Sequence, residues 1–235
     1  MSTNLNTPVI KKYRKHFIPL ESNPDVFNQL IRLLGAPESL VFEDVFTLDE
    51  PEFLPHPALA LILIFPTAEN YEEQRAAEDA SHEDSSSSRP GEEVVWFKQT
   101  INNACGLYAI LHALSNGEAR GLIGLQPHQQ ALVLEESEEL ERVYNVVAIQ
   151  GDSAVPDNPE DEVDFHYVGF VKSGVDGRLY ELDGDRKGPI DRGAVLGAGD
   201  DVLGEGGLTV IREYIKKEEG NAGFGLMALV RREGP

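Results

Sequence analysis

The sequence predicts an α+β fold with a central, mostly antiparallel β-sheet. Three observations carry this. Segments of helical and strand character follow one another without regular βαβ alternation. One unbroken apolar run, Ala58–Pro66 (ALALILIFP), has the length and β-branched content of a buried central strand. Late in the chain, Phe165–Val171 (FHYVGFV) and Arg178–Gly184 (RLYELDG) read as two strands joined by Lys172–Gly177 (KSGVDG).

The elements follow in order. Residues 1–16 read as a flexible basic lead-in without the apolar core of a secretory signal. Pro19–Gly35 (PLESNPDVFNQLIRLLG) reads as a helix capped by Ser22 or Asn23, with Pro24 in its first turn and Gly35 as its stop. Phe27, Leu30, Ile31 and Leu34 share one face at helical spacing. Leu40–Asp49 reads as a short strand and turn. The 67–94 stretch contains DSSSSRPGEE and reads as a mobile acidic excursion that begins helical. Val94–Lys98 is expected to be a short strand. Ala104–Gly117 (ACGLYAILHALSNG) is a helix apolar nearly all round, hence buried, with Asn102 or Asn103 as its cap and Asn116-Gly117 as its end. Pro127–Val146 reads as one or two amphipathic helices. The 148–164 stretch is a long loop without periodicity. After the hairpin come a helix, Leu208–Glu218, and a last strand, Phe224–Val230. Residues 17–232 thus form one domain, with 233–235 as a tail.

Composition narrows the function. Forty-one acidic residues against twenty basic ones give a net charge of −21. Such a chain repels phosphate backbones, so no nucleic acid partner is expected. The charge serves solubility or draws in a basic protein partner. The longest apolar run is too short for a bilayer, so no membrane partner is expected. The single cysteine, Cys105, excludes an internal disulfide and fits a reducing compartment, cytoplasmic with the nucleus as a second location.

Cys105 sits in the first turn of its helix, where backbone N–H groups and the helix dipole favour an anion. It reads either as a small core residue or as a nucleophile. A nucleophile needs a base, and the six histidines are not equivalent. His16, His56, His82 and His128 lie in surface settings. His112 lies two turns beyond Cys105, too far along the axis, and reads as a core histidine. His166 follows the long loop on an apolar strand. With KSGVDG as the connection, Val171 faces Arg178 and His166 faces Asp183 on one side of the sheet. Glu181 shares that side and is the rival carboxylate. Gln99, six residues before Cys105, can present its amide N–H beside the Cys105 backbone N–H, as an oxyanion requires.

The segment FKQTINNACGLYAILHALSN (Phe97–Asn116) resembles the active-site segment of the ubiquitin carboxyl-terminal hydrolase family of cysteine peptidases. PLESNPDVFNQLIRLLG, ALALILIFP, EDEVDFHYVGFV and GRLYELDGDRKGPIDRG resemble further blocks of that family in the right order, from about Phe17 to Val230. Where the family often carries Trp near the start of its opening segment, this chain has Phe17-Ile18. The resemblance implies a papain-like core with a knotted backbone and no cofactor. It implies Gln99 as oxyanion donor, Cys105 as nucleophile, His166 as general base and acid, and Asp183 as the orienting carboxylate. It implies that the 148–164 loop crosses over the active site, so that small or unfolded adducts on ubiquitin are preferred. Ubiquitin, and with it the related modifier NEDD8, is the implied partner. Its arginine-bearing tail makes Glu21, Asp25, Asp157, Glu160, Asp161, Glu162 and Asp164 candidate contacts. Little chain follows the last strand, so a monomer is expected. Two rivals remain: a non-catalytic acidic ubiquitin-binding module, and another papain-like Cys-His-Asp acyl-transfer enzyme.

Overall fold

The structure, a computed structural model, describes residues 13–50, 53–67, 69–80, 93–122, 135–151, 165–217 and 223–232. A six-stranded antiparallel sheet forms its centre. The strands are β2 (Leu40–Asp44), β3 (Ala58–Pro66), β5 (Phe165–Lys172), β6 (Leu179–Leu182), β7 (Ile190–Gly193) and β8 (Gly225–Arg231), in the spatial order β2-β8-β3-β5-β6-β7. Two short strands, β1 (Lys15–His16) and β4 (Ile101–Asn102), pair in parallel as a separate two-stranded sheet. The described helices are α1 (Pro24–Leu33), α2 (Glu69–Asp79), α3 (Cys105–Ser115), α4 (Gly117–Leu122), α5 (Glu138–Ala148) and α6 (Glu205–Lys217).

The expected central strand is β3, and both of its faces are covered. Ala60, Ile62 and Ile64 share one core cluster with residues of α1, α3 and α5 on one side. Leu61, Leu63 and Phe65 meet Leu208, Ile211 and Tyr214 of α6 and Tyr71 of α2 on the other. An irregularity between Ala58 and Ala60 explains why Ala58 faces the α6 side although Ala60 does not. All eleven residues of α3 are buried. Each fully buried leucine or isoleucine there contributes about 1.5–3 kcal/mol.

Several boundaries differ from the sequence reading for physical reasons. α1 begins at Pro24 rather than at Pro19. Asn23, not Ser22, is its cap, accepting from Asp25 N–H at 2.9 Å. Lys15 and His16 belong to a strand, so the lead-in expected for 1–16 stops short of them. The strand expected at Val94–Lys98 is absent apart from an isolated bridge at Phe97. Side chains of α3 and of its C-cap residue Asn116 take up that backbone instead. The Asn116 amide accepts from Val95 N–H at 2.7 Å and donates to Val95 C=O at 2.8 Å, and His112 Nε2 accepts from Phe97 N–H at 3.0 Å. Of the one or two helices expected within Pro127–Val146, α5 runs over Glu138–Ala148 and is capped by Ser137, and 127–134 lie outside the described residues. The tail at 233–235 and the core of the acidic excursion lie outside the described residues.

Candidate active site

Cys105 opens α3 and is 7% exposed. The expected Asn cap is not there. Ala104 occupies the cap position with no side-chain hydrogen bond, and Asn103 adopts a left-handed conformation with φ of 57°. Asn tolerates that conformation better than most residues. The consequence is chemical: the cap residue puts no side-chain oxygen on the first N–H groups of α3 beside the thiol, where a capping Asn would have done so. Asn102 meanwhile sits in β4 with its amide 3.1 Å from His16 Nδ1.

The hairpin brings His166 to Asp183, though not by the expected register. Gly169 pairs with Leu182 and Val171 with Tyr180, and the loop is tighter, with Ser173 N–H donating to Arg178 C=O. Pairing is therefore displaced by two residues. A two-residue displacement keeps every side chain on its face, so His166 and Asp183 still share a side. His166 Nε2 lies 2.9 Å from Asp183 Oδ2, with the side chains 11% and 1% exposed. The separation is that of an ion pair, but the ring N–H is not aligned along it. The rings of Phe65 and Tyr71 lie 5.9 and 6.2 Å from the imidazole.

Burial alone would lower the His166 pKa. The Asp183 charge and contact, together with the neighbouring Cys105 thiol, override it and raise the pKa well above the usual value. Burial likewise opposes ionisation of Asp183. The His166 charge wins, helped by Arg75 and by the Asp185 N–H that donates to Oδ1 at 2.8 Å, and holds the carboxyl below its usual range. The imidazole thus reaches Asp183 through Nε2, which leaves Nδ1 for the thiol. This favours an imidazolium beside sulfur.

Gln99 stands on a segment tied to both partners. Its backbone N–H donates to Gly184 C=O at 2.7 Å, and its side-chain Nε2 donates to Ile101 C=O at 3.1 Å. One N–H of that amide is left over. A Cβ at Gly184 would lie 3.1 Å from Gln99 Cβ and from Phe97 O, so the close approach depends on glycine. Trp96 Nε1 donates to Asp183 C=O at 2.9 Å. His112 is fully buried and stacks on Phe97, with ring centroids 5.7 Å apart. It is the core histidine the sequence suggests, and it anchors the segment carrying Gln99.

The rival carboxylate is occupied elsewhere. Glu181 Oε2 lies 2.5 Å from Arg192 Nη2, and Oε1 lies 3.5 Å from Arg186. Glu21 packs against Gly151, where the long loop departs, and Asp25 is exposed in the first turn of α1. Asp157, Glu160, Asp161, Glu162 and Asp164 lie outside the described residues. Sequence reasoning missed Trp96, Gly184, Arg75 and Asp185. Two left a trace: Trp96 is the sole tryptophan and stands three residues before Gln99, and Gly184 adjoins Asp183.

A family model described as ubiquitin carboxyl-terminal hydrolase, family 1, matches residues 17–216. The chain is 33% identical to ubiquitin carboxyl-terminal hydrolase 3 of Arabidopsis thaliana, over 93% of this chain and 95% of that protein. It is 31% identical to ubiquitin carboxyl-terminal hydrolase isozyme L1 of Homo sapiens, over 91% of this chain and 97% of that protein. The crystal structure of the UCH37 catalytic domain of Trichinella spiralis, bound to ubiquitin vinyl methyl ester, superimposes with a TM-score of 0.67. That match has 24% identity over 95% of this chain and 97% of that one, and it supports the α+β fold.

Proposed function

Because the chain belongs to ubiquitin carboxyl-terminal hydrolase family 1, we propose that it is a thiol hydrolase acting at the C-terminal glycine of ubiquitin. The observation that carries the reading is the buried His166–Asp183 pair, with the Cys105 thiol beside the imidazole at the start of α3. His166 takes the thiol proton and Cys105 Sγ attacks the glycine carbonyl. The Cys105 backbone N–H and the remaining N–H of the Gln99 amide hold the oxyanion. His166 then protonates the leaving amine, and the acyl-enzyme forms. Water, deprotonated by His166, attacks the thioester and frees the ubiquitin carboxylate and the thiol. Asp183 keeps its charge throughout and holds the imidazole.

The preferred leaving group is small or unfolded. Gly151 lies beside Glu21, and Phe165 is next to His166. Thirteen residues, 152–164, join these points. Fully extended, that length reaches under about 50 Å. The circumference of a small folded domain about 30 Å across is roughly 90 Å. If the segment crosses the site, as the resemblance implies, folded adducts do not pass beneath it. Ubiquitin is the proposed substrate, and NEDD8 is a further candidate. Glu21, Asp25 and the loop acids meet the basic tail.

Turnover of ubiquitin carrying a fluorogenic amide at its C-terminus tests the activity. Release abolished by Cys105→Ala is expected; release that persists in this variant would exclude the mechanism. A folded diubiquitin cleaved faster than a short peptide adduct would overturn the leaving-group preference. A ubiquitin affinity insensitive to salt would remove the charge contacts.

A further inference from the structure

The segment Asp183–Arg186 is held from the far side by α2, through contacts that the chemistry above does not use. Arg75 Nη1 lies 2.6 Å from Asp185 Oδ2, with both side chains 16% exposed. Tyr13 O–H donates to the other oxygen of Asp185 at 3.3 Å. The backbone N–H of Asp185 in turn donates to Asp183 Oδ1 at 2.8 Å. A continuous path therefore runs from Arg75, through the Asp185 side chain and backbone, to the carboxylate that faces His166.

Its other end is the sensitive one. Asp183 Oδ2 is at ion-pair distance from His166 Nε2, yet the ring N–H is not aligned with it. With Oδ1 fixed by Asp185 N–H, a small rotation of the carboxylate decides whether that hydrogen bond forms. Hydrogen bonds weaken steeply with misalignment. The guanidinium of Arg75 also lies 5.8 Å from the centroid of the Tyr71 ring, which itself flanks His166.

We propose that Arg75 is a positioning residue for the reaction, acting through Asp185 to set the carboxylate of Asp183 against His166. This rests on the thiol hydrolase reading for its activity assay but not for its second readout. The charge of Arg75 also helps to keep Asp183 ionised. The effect is separable from docking of α2, because Arg186 holds that helix independently, at 2.8 Å to Glu78 and 2.9 Å to Asp79. Phe65 adds a ring contact with Tyr71 at 4.8 Å.

The test compares Arg75→Ala, Arg75→Lys, and each in an Asp183→Asn background. With ubiquitin carrying a C-terminal fluorogenic amide, Arg75→Ala is expected to lower kcat at least about tenfold with KM unchanged, since misplacement of reacting groups by about 1 Å costs up to about 100-fold. Arg75→Lys restores most of the loss. In the Asp183→Asn background Arg75→Ala has no further effect, because the pathway already ends there. A kcat within about twofold of wild type overturns the proposal, and so does an equal loss in both backgrounds. The rate of Cys105 alkylation by iodoacetamide reads the same coupling without ubiquitin, because Cys105 is the chain's only cysteine. Slower alkylation in Arg75→Ala that vanishes in the Asp183→Asn background supports the proposal, and an unchanged rate overturns it. If the variants show this alkylation pattern while the wild-type protein leaves the ubiquitin amide intact, the hydrolase reading is refuted and Arg75 keeps its positioning role.

Discussion

His112 offers a stability test that is independent of activity. Burial pushes its pKa from 6.5 to about 4, although the hydrogen bond with Phe97, the Asp183 charge and a contact with Leu182 each oppose the fall. The folded protein therefore holds this imidazole neutral, while the unfolded chain protonates it near its ordinary value. Between those limits the unfolded state binds more protons, so stability falls as pH falls. His112 contributes stability that is fully present above about pH 6.5 and is lost as pH drops through about 4. The interval of about 2.5 units, at about 1.4 kcal/mol per unit, corresponds to about 3 kcal/mol. The group is completely buried, so solvent screening does not reduce this. His112→Gln keeps an acceptor for Phe97 N–H and removes the titration. Urea unfolding of both proteins from pH 7.5 to about 4 measures the linkage. The pH slope of the wild type should exceed that of the variant across this window, with a summed difference of about 3 kcal/mol. Carboxylates such as Asp183 titrate in both proteins and cancel in the difference. Parallel slopes would refute a neutral buried His112.

Three further outcomes follow from the geometry of the site. Gln99→Ala should lower kcat by about 10²–10³ while changing KM little, since the amide acts only as the oxyanion develops; a loss confined to KM would contradict that role. Gly184→Ala places a methyl group 3.1 Å from Gln99 Cβ and from Phe97 O, so kcat should fall more than thermal stability does. Wild-type turnover in that variant would show that the Gln99 segment is free to move. Asn116→Ala removes hydrogen bonds to Val95 N–H, Val95 C=O and His112 C=O, the last at 2.8 Å, and leaves buried backbone groups unmatched. A cost of about 3 kcal/mol is expected in urea unfolding, and a cost below about 1 kcal/mol would mean that another donor had replaced the amide.

The parts of the fold legible in the sequence are those where period and length speak together. The run Ala58–Pro66 is unbroken because both faces of β3 are covered, and α3 is apolar nearly all round because all eleven of its residues are buried. The pairing of His166 with Asp183 was legible for a reason that tolerates error. Displacing the hairpin by two residues preserves the face, so a wrong loop still gave the right partners. Choosing Asp183 over Glu181 was not legible from spacing, because the choice rests on Arg186 and Arg192, which claim Glu181 from beyond the hairpin. The cap of α3 is not legible because Asn before a helix ordinarily caps it, whereas here Asn103 supplies a left-handed turn and Ala104 takes the cap position without a side-chain hydrogen bond. Val94–Lys98 looked like a strand by composition. Its backbone partners are side chains of Asn116 and His112, which no local pattern reveals. Arg75 and Asp185 lie 110 positions apart and meet only through the tertiary fold.

The most direct test is covalent capture by ubiquitin bearing a C-terminal vinyl methyl ester. A single adduct is expected, mapped to Cys105 by peptide mass spectrometry, abolished by Cys105→Ala and strongly slowed by His166→Ala. Failure to form the adduct while ubiquitin still binds would contradict the hydrolase and leave a binding module.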